Sequence, residues 1–324
     1  MKESMVNKVT VIRHEQIEAL NIKPATCVKW VREGFLMKDD VQMPAKLSVH
    51  PQGEDFITTM PCMLSERDGK KYFGVKVVSR IEGQVPILKS EIYLYDAKTG
   101  NLLAILDGDW ITAIRTGAVA ALAAELFQCK GVNTYSMMGL GNIGRATALC
   151  LIDNNRDRTI TLRLLRYKDQ AEKFIERFKD CKNVTFDIVD DNREFVAEAD
   201  VLISCITFTK DLLFPDDSLF RKGVTVIPVH MRGFQNCDLC FDKVYGDETA
   251  KIKDFKYFSQ FRQYDELHHV LQGKNPGRTN DEERILSYNY GIALHDIVFA
   301  TKIYELTDDQ SGFCLSRQDQ KIWV

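Results

Sequence analysis

The basic side chains best suited to chemistry are Lys76 and Arg115, because each stands among apolar or small residues. Lys76 lies between Val75 and Val77, where a partly desolvated amine could bind a carboxylate or carry a proton. Strand alternation puts Lys76 on the opposite face from these valines, so periodicity alone favours a lysine that faces solvent. Arg115, in an Ala-rich helical stretch, could equally hold a carboxylate through its planar guanidinium or lie on the helix surface. For Lys46 the same two alternatives are open, binding of a carboxylate or a position on the surface.

A glycine-rich turn follows the apolar run that begins at Tyr135. Gly139, Gly141 and Gly144 have G-x-G-x-x-G spacing, which suits a tight turn, close approach of a pyrophosphate and close packing of helix on strand. A second strand-like run, residues 159–165, follows at the distance that a βαβ unit requires. The pattern therefore predicts a dinucleotide site at a helix N-terminus.

The end of that second strand reads Arg166-Tyr167-Lys168. An NAD site usually offers an acid here to the ribose hydroxyls, whereas two cations favour the 2′-phosphate of NADP(H). If the strand ends later, Asp169 supplies the acid and NAD(H) is favoured instead. A solvated loop is the structural alternative.

His230 and Arg232 follow a further predicted strand, at the edge where open α/β sheets bind ligands. Two donors there suit an acidic substrate. Cys237 and Cys240 have C-x-x-C spacing, but no second pair of ligands stands at zinc-binding spacing, so we predict no metal site. His268 and its neighbour His269 lie in a polar segment and are predicted on the surface.

The composition is that of an ordinary globular protein. With 324 residues, 45% hydrophobic content and a net charge of −3, the chain should form two domains and lacks the basic excess expected for nucleic-acid binding. No apolar leader and no stretch approaching a membrane span are evident, so we expect a cytoplasmic protein without membrane contact. Nine scattered cysteines suggest reduced thiols.

The elements that must position these residues fall into two groups. Residues up to about 110 show short strands separated by turns, which predicts a mainly antiparallel β-rich domain. Strands then alternate with helices, which predicts an α/β, doubly wound Rossmann sheet. Residues 281–305 look helical and return to the first domain. We assign residues 1–115 with 296–324 to a substrate and dimerisation domain, and 116–295 to the dinucleotide-binding domain.

Together these motifs resemble the ornithine cyclodeaminase/mu-crystallin family from about Met43 to Ala300. The pieces that carry the resemblance are Gln42-Met43-Pro44-Ala45-Lys46, Thr59-Met60-Pro61, Gly74-Val75-Lys76, Asp96-Ala97-Lys98-Thr99-Gly100, Leu106-Asp107-Gly108, Ile114-Arg115-Thr116-Gly117-Ala118, Pro276-Gly277-Arg278 and Gly291-Ile292-Ala293-Leu294-His295-Asp296. The resemblance implies a homodimer joined through the β-rich domain and a Rossmann domain that binds NAD(H) or NADP(H).

The resemblance also implies roles for individual residues. Lys76 and Arg115 would contact a substrate carboxylate, beside His230 and Arg232 as further catalytic candidates. Lys46 stands where many members have an arginine, and Lys46 and Met60 would contact substrate. The cofactor-binding positions would be Thr116, Gly139, Gly141, Asn142, Ile143, Gly144, Arg166, Tyr167, Lys168, Cys205, Ile206, Thr207, Val229 and Gly291.

One segment departs from the cyclodeaminating members of the family. Arg232 falls at about the place of their aspartate, which handles the substrate amine, and Asn236 at about that of their lysine. An arginine cannot accept a proton from an amine. We therefore expect an NAD(P)-dependent oxidoreductase whose substrate is an amino or imino acid with a second acidic group. The alternatives are a cyclodeaminase that releases ammonia with tightly bound NAD, and a non-catalytic, crystallin-like NADP-binding protein.

Overall fold

The computed structural model describes residues 6–206, 209, 211–230, 233–234, 238–308 and 311–316. The strands in chain order are β1 (Val6–Ile12), β2 (Leu47–Val49), β3 (Phe56–Met63), β4 (Tyr72–Arg80), β5 (Leu88–Asp96), β6 (Leu102–Asp107), β7 (Thr134–Met138), β8 (Ile160–Leu165), β9 (Val184–Val189), β10 (Val201–Ser204), β11 (Thr225–Pro228), β12 (Lys243–Gly246), β13 (Tyr264–Glu266), β14 (Ile285–Tyr288) and β15 (Gly312–Ser316). The α-helices are α1 (His14–Ala19), α2 (Pro24–Leu36), α3 (Asp109–Phe127), α4 (Asn142–Asn154), α5 (Gln170–Arg177), α6 (Asn192–Ala197), α7 (Thr249–Ile252), α8 (Leu267–Leu271) and α9 (Ala293–Leu306).

The chain divides into two compact units, one of Met1–Ile22, Met37–Thr112 and Ala293–Val324, the other of Lys23–Leu36 and Ala113–Ile292. The sequence-based division placed residues 23–36 in the first domain. In the structure they form α2, which belongs to the second unit and packs on α4. The apolar face of α2 includes Cys27, Val31 and Phe35, all fully buried.

The first unit is built on a seven-stranded sheet in the order β15-β1-β6-β5-β4-β3-β2. All neighbours are antiparallel except β1 and β6, which are parallel. Helix α9 packs on β3, β4 and β5. Close packing depends on Gly74, because a Cβ there would overlap the side chain of Ile297.

The second unit is an eight-stranded parallel sheet in the order β13-β12-β14-β11-β10-β7-β8-β9. The strands that follow β7 in the chain extend the sheet first to one side, as β8 and β9, and then to the other, as β10 and β11. This reversal is the topological switch point at which open α/β sheets bind ligands. The α/β fold, with a Rossmann-type sheet and a mainly antiparallel β-rich unit, is thus confirmed.

Helix α3 corrects the expectation that no stretch approaches a membrane span. Residues 109–127 are long and apolar enough to cross a bilayer, but 78% of the most apolar window is buried in the protein. Ala118, Leu122 and Phe127 are fully buried. Such burial is typical of a core helix, and α3 is one.

The closing stretch is also different from its prediction. Residues 281–305 do not form one helix, because Ile285–Tyr288 is strand β14, which pairs with β11 and β12 in the middle of the parallel sheet. The helix begins only at Ala293.

Candidate functional site

Lys76 is fully buried in the first unit, where it forms an ion pair with Asp296 on α9. Nζ lies 2.9 Å from Oδ2 of Asp296, and neither residue is exposed to solvent. Met60, a predicted substrate contact, is directly opposite Lys76 on β3 and is itself buried. The structure therefore brings these two candidates together.

The prediction that Lys76 faces solvent is wrong. Alternation did place Lys76 opposite Val75 and Val77, but α9 covers the face that carries Gly74, Lys76 and Val78. The valines on the other face are only half-buried. A charged amine on the covered face requires a partner because burial of an isolated charge is costly, and Asp296 meets that requirement.

A line of hydroxyl groups continues from the ion pair within the same unit. Thr112 Oγ1 lies 3.4 Å from Lys76 Nζ and 3.0 Å from Ser90 Oγ. Ser90 in turn donates from its backbone N–H to Asp109 Oδ1 at 2.6 Å. Burial raises the pKa of Asp109 from its ordinary value, while the Ser90 backbone hydrogen bond opposes that rise. These contacts connect Lys76 to Asp109 within the first unit.

Arg115 is buried in the second unit, which excludes the helix-surface alternative. Its residue surface is 5% exposed, and Thr116 beside it is 8% exposed. The guanidinium lies against Gly291, where a Cβ would overlap it. Gly291 has φ +73°, a conformation that favours glycine. The structure thus brings together Arg115 and Gly291, two residues predicted for different roles.

The three glycines of the predicted nucleotide turn have the geometry that such a turn requires. Gly139 has φ +78°, and a Cβ there would overlap the backbone of Cys205 and Ile206. At Gly144 a Cβ would overlap the carbonyl oxygen of Gly139. Gly141, by contrast, has open space where its Cβ would be, and helix α4 starts at the next residue. A pyrophosphate fits here, since backbone and helix N-terminus can approach it closely.

Five further cofactor candidates lie after the carboxyl ends of β7, β10 and β11. Asn142 is exposed at the start of α4, and Ile143 is half-buried beside it. Cys205 and Ile206 directly follow β10, next to Gly139. Val229 follows β11 and donates its N–H to the carbonyl of Ser204 at 3.0 Å. Burial raises the pKa of Cys205 to about 12, so its thiol is neutral.

The cationic segment after β8 is exposed, and Arg166 in it is already paired with two acids. Arg166 contacts Glu172 and Asp190, and these carboxylates raise its pKa. Lys168 Nζ lies 5.3 Å from the ring centroid of Tyr167, and Lys168 has φ +54°. A 2′-phosphate at Arg166 would therefore meet a guanidinium that two acids also hold.

His230 directly follows Val229 after β11 and is half-buried, and its imidazole ring contacts Ser204. The Ser204 Oγ and His230 Nε2 atoms are 2.6 Å apart, and Ser204 is fully buried at the end of β10. The ring of Phe234 lies 5.8 Å away, between centroids. This contact fixes the imidazole orientation at the sheet edge where His230 was predicted.

The remaining predicted residues have different outcomes. Lys46 is exposed just before β2, and Thr207, Arg232, Asn236 and Cys237 lie outside the described residues. His268 was expected on the surface but is 2% exposed, with Nδ1 3.2 Å from Glu266 Oε2.

Sequence analysis gave no role to four residues that the structure places at these sites. They are Ser204, Asp296, and also Asp247 and Lys251, which bind the backbone N–H and carbonyl of Gly291. Only Asp296 had a local indication, as an acid directly before the apolar run of residues 297–300.

Comparisons with known proteins agree with the fold. The chain is 26% identical over 270 residues to a Delta(1)-pyrroline-2-carboxylate reductase from Bacillus cereus, covering 76% of this chain and 81% of that protein. It is 24% identical over 276 residues to the ketimine reductase mu-crystallin of Mus musculus, covering 77% and 80%. The structure of Thermococcus litoralis Delta(1)-pyrroline-2-carboxylate reductase in complex with NADH and L-proline superimposes with a TM-score of 0.79 at 22% identity, covering 92% of this chain and 97% of that chain.

Residues 5–311 match the sequence profile of the ornithine cyclodeaminase/mu-crystallin family, which is nearly the whole chain. The chain belongs to the ornithine cyclodeaminase/mu-crystallin family.

Proposed function

We propose that this protein is an NAD(P)-dependent oxidoreductase acting on the α-carbon of an amino or imino acid. The observation that carries the proposal is the Gly139–Gly144 turn at the switch point of the parallel sheet, in a chain of this family. Curated relatives named as reductases of Delta(1)-pyrroline-2-carboxylate and of ketimines support the reaction class.

The nicotinamide cofactor, when bound, supplies or accepts the hydride, and the protein holds the reactants. Gly139, Gly141 and Gly144 bind the pyrophosphate at the start of α4. Arg115 binds the substrate carboxylate through its planar fork of N–H donors. Lys76, buried beside Asp296, provides a second cation for the substrate carboxylate or a proton for the substrate nitrogen. The protein acts as a cytoplasmic homodimer.

For the cofactor we propose a preference for NADP(H) over NAD(H). Arg166 and Lys168 follow β8, the strand whose end approaches the adenosine ribose in this fold. Glu172 and Asp190 fix the position of the Arg166 guanidinium, but they also offset its positive charge. Removal of one acid, as in Asp190→Asn, should strengthen NADPH binding if Arg166 contacts the 2′-phosphate.

For the substrate we propose a second acidic group. In sequence, Arg232 falls at about the place of the aspartate that handles the substrate amine in cyclodeaminating members of the family. A second ammonium on the substrate would be repelled by a guanidinium there, whereas a carboxylate would be attracted. Arg232→Asp should weaken an acidic substrate. Efficient conversion of ornithine to proline by the unaltered protein, or unchanged substrate kinetics in Arg232→Ala, would refute this specificity.

The function is tested by a screen with purified protein. NADH or NADPH is offered with cyclic imino acids and with mono- and dicarboxylic keto acids plus ammonia, and nicotinamide absorbance is followed. Oxidation of the cofactor by an imino acid supports the proposal. Ammonia release from ornithine without net NADH formation would instead assign a cyclodeaminase, and cofactor binding without any turnover would assign a binding protein.

A further inference from the structure

Two buried charged side chains bind the two backbone polar groups of Gly291. Asp247, directly after β12, accepts a hydrogen bond from the Gly291 N–H through Oδ2 at 2.7 Å. Lys251, in α7, donates from Nζ to the Gly291 carbonyl at 2.6 Å. Asp247 is 2% exposed, and the Lys251 side chain is 11% exposed. We call these three residues the Gly291 clamp.

The clamp is an unusual use of charge. Most backbone groups in folded proteins are bound by other backbone groups or by neutral side chains. Hydrogen bonds with an ionised partner are about twice as strong as neutral ones. The two peptide groups that flank the Gly291 Cα are therefore each held by a charged side chain, although Gly291 lies in a loop between β14 and α9.

What the clamp holds in place is the surface against which Arg115 lies. A side chain at Gly291 would overlap the guanidinium, so the glycine peptide and the guanidinium are in contact. Burial lowers the pKa of Lys251, and the positive charge of Arg115 lowers it further, while Glu248 and Asp247 oppose this. Lys251 and Arg115 thus share one electrostatic environment, in which the two carboxylates allow two cations to be buried together.

We propose that Asp247 and Lys251 are positioning residues that fix Gly291 and, through it, the orientation of the Arg115 guanidinium towards the substrate carboxylate. This inference rests on the proposed function, in which Arg115 binds that carboxylate. Displacement of a binding group by about 1 Å can cost up to about a hundredfold in rate. The clamp residues therefore affect the substrate without touching it.

The first test needs no turnover. Amide hydrogen exchange of the segment containing Gly291 is measured in the full chain, in Lys251→Met and in Asp247→Asn, with Lys253→Met as the matched control, because Lys253 is exposed at the end of the same helix. Faster exchange at Gly291 in Lys251→Met, with the control unchanged, is expected. Asn can still accept the Gly291 N–H, so Asp247→Asn should change exchange less. Unaltered exchange in Lys251→Met would overturn the clamp whatever the protein's activity.

The second test is a kinetic double-mutant cycle with the imino acid found in the screen. Lys251→Met should raise KM by about tenfold or more, with NADPH affinity close to that of Lys253→Met. In an Arg115→Ala background the same change should have no further effect. An equal effect in both backgrounds would overturn the positioning role. If Arg115→Ala itself leaves kinetics unchanged, the proposed role of Arg115 fails, while the exchange result still decides whether the clamp exists.

Discussion

Removal of the Lys76 charge should destabilise the first unit strongly. Lys76→Met keeps the length of the side chain but leaves the Asp296 carboxylate, 0% exposed, without the ammonium at 2.9 Å. Breaking a buried pair by removing one partner costs about 3–5 kcal/mol, since the remaining charge is uncompensated. Because both partners here are completely buried, we expect a value inside that range.

Replacement of both partners should restore much of the loss. In Lys76→Met with Asp296→Asn, no net charge is buried, and neutral replacement of a buried pair is often tolerated. The double variant should therefore be more stable than Lys76→Met alone. Substrate turnover should nevertheless be lost in both, because the amine is absent from both. This combination separates the structural role of Lys76 from its role in the reaction.

The assay is urea unfolding of wild type and the variants, with Lys89→Met as the control, since Lys89 is exposed on β5. Lys89→Met should unfold near the wild-type urea concentration. The reasoning is refuted if Lys76→Met also unfolds there, or if the double variant is no more stable than the sum of the two single changes predicts.

Three further predictions concern charge. Replacing Arg166 and Lys168 by alanine should weaken the binding of NADP(H) more than that of NAD(H), and the difference should depend on salt concentration. Both affinities are measured by calorimetric titration, and equal losses of affinity would refute the cofactor preference. Arg115→Lys keeps the charge but loses the planar fork, so it should lower turnover or raise KM with dinucleotide affinity intact, and unchanged kinetics would count against carboxylate binding. Burial raises the pKa of Glu283, but the Lys243 ammonium and hydrogen bonds outweigh it and hold the pKa at about 2, below the ordinary 4.5. The ionised Glu283 carboxylate therefore contributes at most about 3 kcal/mol to the free energy of unfolding. This contribution is fully present above pH 4.5 and is lost as the pH falls towards 2. The stability difference between wild type and Glu283→Gln should narrow over that window, and a constant difference would contradict the prediction.

The dinucleotide half of the fold could be predicted from sequence because its pattern is local. Strand β7, the glycine turn and α4 follow one another in the chain, and the close neighbours of Gly139 and Gly144 leave no room for a Cβ there. Strand β14 could not be predicted in the same way. Its four residues are buried on both faces, and so short an apolar run has no alternation to distinguish it from part of a helix.

Lys76 shows the same limit for a site residue. Alternation correctly separated its face from that of Val75 and Val77, but which face is covered depends on α9, which lies far along the chain. Asp296 on that helix is also what makes a buried amine stable. Neither fact can be obtained from the residues around position 76, so periodicity alone chose the wrong face.

The segment Gly291–Asp296 explains why a family motif predicted more than local chemistry did. Gly291, the last but one residue of the second unit, leaves room for the Arg115 guanidinium, and Asp296, in the first unit, pairs with Lys76. One short stretch thus supplies a contact to Arg115 within the second unit and a contact to Lys76 within the first. A residue so placed is constrained by a partner distant in sequence, which explains why the spacing of Gly291 and Asp296 is part of the resemblance. The clamp by Asp247 and Lys251 acts at the beginning of this stretch, and it is there that altered charge should disturb Arg115 first.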